Sequence, residues 1–418
     1  MREERNKTEI KTTREGIQRG GSGSFPLLPG AFLAWYDGNK RSLPWRRDQE
    51  PYHVWLSEIM LQQTRVEAAR GYYQRFVEAL PDVTALARAD EELLLKLWEG
   101  LGYYNRARNL QKAAKVIADE LGGEFPRDYA GLLALPGIGE YTAGAVGSIC
   151  FDLPTPAIDG NVLRLLARIN ADETPLERPE LKRRLSAELA KVYEALKPVK
   201  GRGRRGDFTQ ALIEAGALLC LPKGAPRCGD CPAAGFCLAC RQGLTERLPV
   251  KSPKKARRVE ERTVFVLERQ GRLALRKRPA SGLLPRLWEL PNAAGKLDPP
   301  AAVGLALRLL DGEAPERPGK RPGGAKNSRY QDDPSGDGTV YQLTFSRVLE
   351  RVHVFSHVEW RMRCYYFQVG GGAGEPGAGL LEEKVSGAAE EGLVWVTERQ
   401  LAEEYALPTA FSQFLREE

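Results

Sequence analysis

The decapeptide Leu135-Pro136-Gly137-Ile138-Gly139-Glu140-Tyr141-Thr142-Ala143-Gly144 limits what this chain can fold into. It reads as a tight glycine turn that opens a helix, with Pro136 marking the turn. Gly137 and Gly139 admit positive φ and carry no side chain to block the close approach of a ligand. N–H groups at the start of the following helix have no partner within it and carry partial positive charge, which makes a seat for phosphate. Asp159 follows Gly139 by twenty residues and stands at the start of a further helix. A carboxylate near a captured phosphate points to chemistry on a nucleic acid. The plainer alternative is an interhelix loop with a capping aspartate.

At 418 residues the chain has room for two or three domains, and its net charge of +7 favours a polyanionic partner. No apolar run approaches the roughly 20 residues of a membrane helix. Residues 1–24 are charged, rich in Gly and Ser, and lack the apolar core of a signal peptide, so a disordered tail on an intracellular protein is expected. Disulfides are rare in such a compartment. Cys220, Cys228, Cys231 and Cys237 lie within eighteen residues, a clustering that points to metal.

Residues 25–244 read as helical, with apolar residues at helical spacing over 54–76, 91–121 and 143–149. A basic connector is expected over 245–261, where Lys251, Lys254, Lys255, Arg257 and Arg258 surround Pro253. From residue 262 to 418 strands enter. Thr263-Val264-Phe265-Val266-Leu267 and Leu273-Ala274-Leu275-Arg276 predict a hairpin around Gln270-Gly271. More strands are expected near 352–355, 362–369 and 393–396, helices at 302–310 and 398–404, and flexible loops over 312–338 and 370–379. The fold class is therefore multidomain, an all-α region followed by an α+β one.

Several separated motifs carry a family resemblance. They are Leu43-Pro44-Trp45-Arg46, Trp55-Leu56-Ser57-Glu58-Ile59-Met60-Leu61-Gln62-Gln63-Thr64, Leu97-Trp98-Glu99-Gly100-Leu101-Gly102-Tyr103-Tyr104, the hairpin, Ile158-Asp159-Gly160-Asn161-Val162, and the cysteine cluster. In this order they resemble the helix-hairpin-helix DNA glycosylases, and among them adenine glycosylases of the MutY type. The resemblance covers nearly all of residues 43–237. It implies a helix-hairpin-helix glycosylase with an iron–sulfur cluster module. The implied activity is removal of adenine opposite 8-oxoguanine or G in double-stranded DNA, by a monomer in a bacterial cytoplasm. Sister readings are an enzyme of the same fold acting on mismatched thymine or as an abasic-site lyase, and a non-catalytic lesion sensor.

Glu58 sits among Ile59, Met60 and Leu61, where desolvation favours the protonated form that a general acid needs. Breaking an N-glycosidic bond requires protonation of the leaving base and support for a cationic sugar, and two acids can divide these tasks. The resemblance makes Glu58 the proton donor to adenine and places Asp159 beside the oxocarbenium ion. Whether Asp159 also bonds transiently to the sugar is left open by the residues. Asn161 is expected to orient Asp159 or a water. Tyr141 stands where the related endonuclease III carries a lysine nucleophile; a phenol forms no imine, so the abasic site is expected to remain uncut. Gln63 and Tyr103 match the residues that fill the vacated stack, and Thr64 and Leu101 match positions near the orphaned partner base.

The cysteine pattern is C-x7-C-x2-C-x5-C, with Cys240 a nearby competing thiol. Zinc and iron–sulfur clusters both take such thiolates. The resemblance favours a [4Fe–4S] cluster, although the first interval is one residue longer than usual. In the second half, residues 282–292 resemble the entry to a Nudix domain. The helix that should carry acids for magnesium has none over 301–310, which implies a Nudix-like binding module. Phe355-Ser356-His357 matches the family's loop for 8-oxoguanine.

Overall fold

The computed structural model describes residues 29–198, 203–253, 256–312, 341–370 and 392–416. The tail expected at 1–24, most of the two glycine-rich loops, and Lys254 and Lys255 of the connector lie outside the described residues. The helical part contains α1 (Pro29–Asn39), α2 (Pro51–Leu61), α3 (Val66–Ala79), α4 (Val83–Arg88), α5 (Glu91–Leu97) and α6 (Asn105–Glu120). It continues through α7 (Tyr129–Ala134), α8 (Glu140–Phe151), α9 (Gly160–Ile169), α10 (Pro179–Ala195), α11 (Arg205–Leu218) and α12 (Leu238–Arg241). Two stretches read as continuous helices are interrupted. Between α2 and α3, Gln63 takes φ 59°, and between α5 and α6 Gly100, Gly102 and Tyr103 take φ 93°, 69° and 50°. A left-handed residue cannot continue a right-handed helix, and hydrophobic spacing does not register it.

Contacts divide the described residues into two units. The first comprises 29–42, Arg127–Leu133 and Gly139–Ser252; the second comprises Leu43–Pro126, Ala134–Ile138 and the chain from Pro253 onward. In the first unit, α9 turns Val162, Leu165, Leu166 and Ile169 inward at helical spacing, onto a core that includes Phe32, Leu185, Phe208 and Leu212. Helix α8 is buried without interruption from Thr142 to Ile149. The fully buried Glu214 receives Arg41 Nε at 2.8 Å and Nη2 at 2.9 Å, which fixes the chain after α1 onto α11.

The second unit joins α2–α6 to a sheet of β1 (Arg258–Arg269), β2 (Arg272–Lys277), β3 (Trp288–Glu289), β4 (Asn292–Ala294), β5 (Gln342–Val354), β6 (Val358–Gly370) and β7 (Leu393–Thr397). Helices α13 (Pro299–Leu310), α14 (Glu398–Glu403) and α15 (Thr409–Ser412) complete it. The main path runs β3-β2-β1-β6-β5, with β1 and β6 parallel and the other pairs antiparallel. The predicted hairpin is present: Gln270 and Gly271, at φ 50° and 70°, form a two-residue turn of the kind that suits strand twist. β1 is apolar on both faces because both are covered. Phe265 and Leu267 pack with α13, whereas Val264 and Val266 pack with Phe411 and Phe414. β1 begins at Arg258, inside the stretch read as connector, and β5 begins ten residues before the expected strand.

Helix α5 ties the helices of this unit to its sheet. Glu92 accepts from Lys277 Nζ at 2.5 Å and from Trp288 Nε1 at 3.1 Å. Lys96 Nζ donates to Leu401 O at 2.8 Å, and Glu99 accepts from Leu407 N at 2.7 Å. No helix among the described residues is long and apolar enough to cross a membrane. Cys364 is buried as expected, whereas Cys150, also expected to be buried, is only half-buried because it sits at the last turn of α8.

Candidate active site

The hairpin uses its two glycines differently. At Gly137, in the second unit, φ is +74° and a Cβ would lie 2.6 Å from Asn109 Cβ, so conformation and packing both demand glycine. Gly139, in the first unit, has ordinary φ, and a Cβ there would meet nothing within 4 Å. It is the N-cap of α8 and makes no side-chain cap bond. An open glycine at a helix N-terminus leaves first-turn N–H groups facing outward, as phosphate binding requires. Half-buried Tyr141 lies in that first turn.

Asp159 is the N-cap of α9, in the same unit. Its Oδ1 accepts from Asn161 N at 2.9 Å and Val162 N at 2.8 Å, and its Oδ2 accepts from Asn161 Nδ2 at 2.7 Å. Asn161 thus orients the carboxylate, which caps α9. Burial raises the Asp159 pKa, opposed by these three donors and by Arg164. Asn161 Oδ1 in turn accepts from Arg164 Nη2 at 2.9 Å, and Arg164 Nε donates to Cys220 O at 2.7 Å. A continuous hydrogen-bonded path therefore joins Asp159 to the cysteine segment.

Cys220, Cys228, Cys231, Cys237 and Cys240 line one small cavity with Leu165 and Arg168. Arg168, 4% exposed, donates from Nη1 to Cys220 Sγ at 3.2 Å and from Nε to Leu248 O at 2.8 Å. Among the described residues no three His, Cys, Asp or Glu side chains are drawn together as a ready metal site. Burial and neighbouring sulfurs push the Cys228 thiol up to about 11 and the Cys231 thiol to about 12. Metal binding displaces such protons. A cavity lined by thiols, without carboxylate or imidazole and with a buried guanidinium at one sulfur, fits an anionic thiolate cluster.

Glu58 belongs to the second unit, whereas Asp159, Tyr141 and Asn161 belong to the first. It is half-buried on α2 between buried Ser57 and Ile59. Gln63 and Tyr103 are both exposed and both hold positive φ, an uncommon state for residues other than glycine. Thr64 is half-buried, and Leu101 is 8% exposed, packed rather than presented.

Phe355, Ser356 and His357 make the turn between β5 and β6, closed by Phe355 N to Val358 O at 2.8 Å. Phe355 packs edge-on against Trp360 at 4.9 Å, while Ser356 and His357 are exposed. Ser356 Oγ lies 2.9 Å from Tyr103 Oη, so this turn touches one of the two left-handed residues. Both border a cleft of about 1460 Å³ lined also by Arg262, Arg278 and Trp360. Sequence reasoning missed Arg106, Arg164 and Arg168. For the latter two a signal existed: basic residues four apart on the face of a helix whose neighbours are Leu165, Leu166 and Ile169.

Residues 56–195 match the family model described as HhH-GPD superfamily base excision DNA repair protein, and residues 263–417 match the NUDIX domain. The chain is 35% identical over 317 residues to the adenine DNA glycosylase of Homo sapiens, a match covering 63% of this chain and 57% of that protein. With the adenine DNA glycosylase of Buchnera aphidicola subsp. Schizaphis graminum (strain Sg) it is 34% identical over 266 residues, covering 63% of this chain and 74% of that one. The chain thus spans less than two thirds of the length of the human relative. A thermostable thymine-DNA glycosylase of known structure aligns with a TM-score of 0.44 at 25% identity, over 51% of this chain and 95% of the other.

Proposed function

The chain belongs to the adenine DNA glycosylase family, and on that premise we propose that it is a monofunctional glycosylase removing adenine opposite 8-oxoguanine, and opposite G, from double-stranded DNA. It works as a monomer on DNA inside the cell, in a bacterial cytoplasm. The observation that carries the reading is the Asp159 carboxylate, half-buried and held by three donors just beyond a helix whose open N-terminus suits phosphate. A carboxylate fixed in this way stabilises positive charge developing on a sugar without reorganising at the moment of reaction.

In this reading Gln63 and Tyr103 enter the duplex as the adenine swings out. Glu58 then gives its proton to the base as the C1′–N9 bond breaks, and the bonding electrons leave with adenine. Asp159 supports the cationic deoxyribose until water adds to C1′ and gives up a proton to the Glu58 carboxylate, restoring the acid. Tyr141 offers no amine for imine formation, so the abasic product stays uncleaved. Phe355, Ser356 and His357 read the partner base. The twelve residues of α13 include no acid to hold magnesium, which supports recognition rather than hydrolysis by the Nudix-like half.

Cys220, Cys228, Cys231 and Cys237 would hold a [4Fe–4S] cluster. When bound, it would supply iron–thiolate bonds that staple the 220–237 loop, and a redox-active centre. Arg168 and Arg164 would balance its negative charge and link that loop to α9 and Asp159.

Single-turnover excision tests the proposal on duplexes carrying A opposite 8-oxoguanine, A opposite G, and T opposite G. Fastest release of adenine opposite 8-oxoguanine is expected. Preferential release of thymine would replace the reading with a thymine-directed one, and duplex binding without release of any base would favour a lesion sensor.

A further inference from the structure

We propose that Arg106 sets the two wedge side chains, Gln63 and Tyr103, in place before DNA arrives, a role that rests on the glycosylase reading above. Arg106 Nη1 donates to Ile59 O at 2.8 Å, Met60 O at 3.1 Å and Gln62 O at 2.7 Å. Its Nη2 donates to Leu101 O at 3.1 Å and Gly102 O at 3.0 Å. One guanidinium therefore clamps five main-chain carbonyls, three at the end of α2 and two in the turn before α6.

The geometry explains why these carbonyls matter. Gln62 O and Gly102 O share rigid peptide planes with the N–H groups of Gln63 and Tyr103. Pinning each oxygen fixes the plane from which the next residue's φ is measured. Both next residues are left-handed, at φ 59° and 50°. Such conformations cost about 1–3 kcal/mol each and persist only where the surroundings over-determine them. Side-chain burial is not the reason here, since Gln63 is exposed and Tyr103 is 47% exposed; Trp98 Nε1 adds a further bond to Gly102 O at 3.1 Å. The strain instead aims two side chains outward from adjoining loops, and the shared guanidinium couples the loops. Arg106 also lies over the Trp98 ring at 5.2 Å and the Tyr103 ring at 5.6 Å. Burial pulls its pKa down to about 10, so it remains charged at neutral pH and complements the carbonyl end of α2. Lysine could not reproduce a planar fork that serves both loops.

The test compares wild type, Arg106→Lys and Arg106→Met on two duplexes. One presents adenine stacked opposite 8-oxoguanine; the other presents the same adenine in a bulge, already unstacked. A wedge-positioning residue predicts a loss of about 10- to 100-fold in single-turnover rate on the stacked duplex, the scale of one or two charge-assisted hydrogen bonds, and under about 3-fold on the bulge. Equal losses on both, or none on the stacked duplex, would overturn the assignment. Gln63→Ala/Tyr103→Ala provides a second arm. Adding Arg106→Lys to that background is expected to cost under about 3-fold, and an additive loss contradicts the proposal. The third arm needs no excision: 2-aminopurine beside the target, in a Glu58→Gln background, brightens on binding when the stack opens. Wild type that excises no adenine at all would refute the glycosylase reading. Brightening left intact by Arg106→Lys would refute the role of Arg106.

Discussion

Asn161→Ala separates the orientation of Asp159 from its mere presence. In the native chain, Asp159 Oδ2 is held by Asn161 Nδ2 at 2.7 Å, while two main-chain donors hold Oδ1. Alanine keeps both main-chain donors and removes the third. A hydrogen bond to a charged group contributes about 1.5–3 kcal/mol. If the ionised carboxylate supports the cationic sugar, that loss slows excision by roughly 10- to 150-fold near neutral pH. The pH dependence has a definite sign. Burial already raises the Asp159 pKa, and deleting a donor raises it further. The acid limb of the excision profile therefore moves to higher pH. The variant's stability deficit should be greatest above its own raised pKa and be lost as pH falls below the folded-state pKa of the native carboxyl, where Asp159 is protonated in both folded proteins. Single-turnover rates and urea unfolding, each measured across pH, supply both readouts. A loss under about 3-fold with an unmoved acid limb would refute this account of Asp159.

Ser356→Ala with His357→Ala should reduce the preference for 8-oxoguanine over G opposite adenine by about 10-fold or more, the scale of one or two lost hydrogen bonds; competition between the two duplexes measures it, and an unchanged ratio would place recognition elsewhere. Cys231→Ser should abolish bound iron and visible absorbance while Cys240→Ser preserves both, as metal analysis would report; the reverse pattern would make Cys240 a ligand.

Much of the architecture was legible because burial leaves a pattern. The run from Thr263 to Leu267 announced a strand, and Gln270-Gly271 announced its turn. Glycines at 137 and 139 marked the hairpin, and Asp159 stood where a cap was expected. Backbone exceptions were not legible: nothing in the side chains of Gln63 or Tyr103 encodes a left-handed φ, and the carbonyl before Gln63 is held by Arg106, which stands far along the chain from it. The joining of α5 to the sheet of the second unit was hidden for a similar reason. Glu91, Glu92, Lys96 and Glu99 look like an ordinary solvated helix face, and only their partners, among them Trp288, Leu401 and Leu407, make them a docking surface. Leu101 could be matched to a motif, but its burial depended on neighbours that no local pattern names.

The central claim is that Glu58 delivers the proton that releases adenine. Rapid-quench single turnover by Glu58→Gln, on a duplex carrying A opposite 8-oxoguanine, tests it most directly when affinity for the uncleaved duplex is measured in parallel. The account predicts near-native binding with excision slowed by at least about 100-fold, the scale of a lost general acid. Near-native excision by the glutamine variant would contradict it.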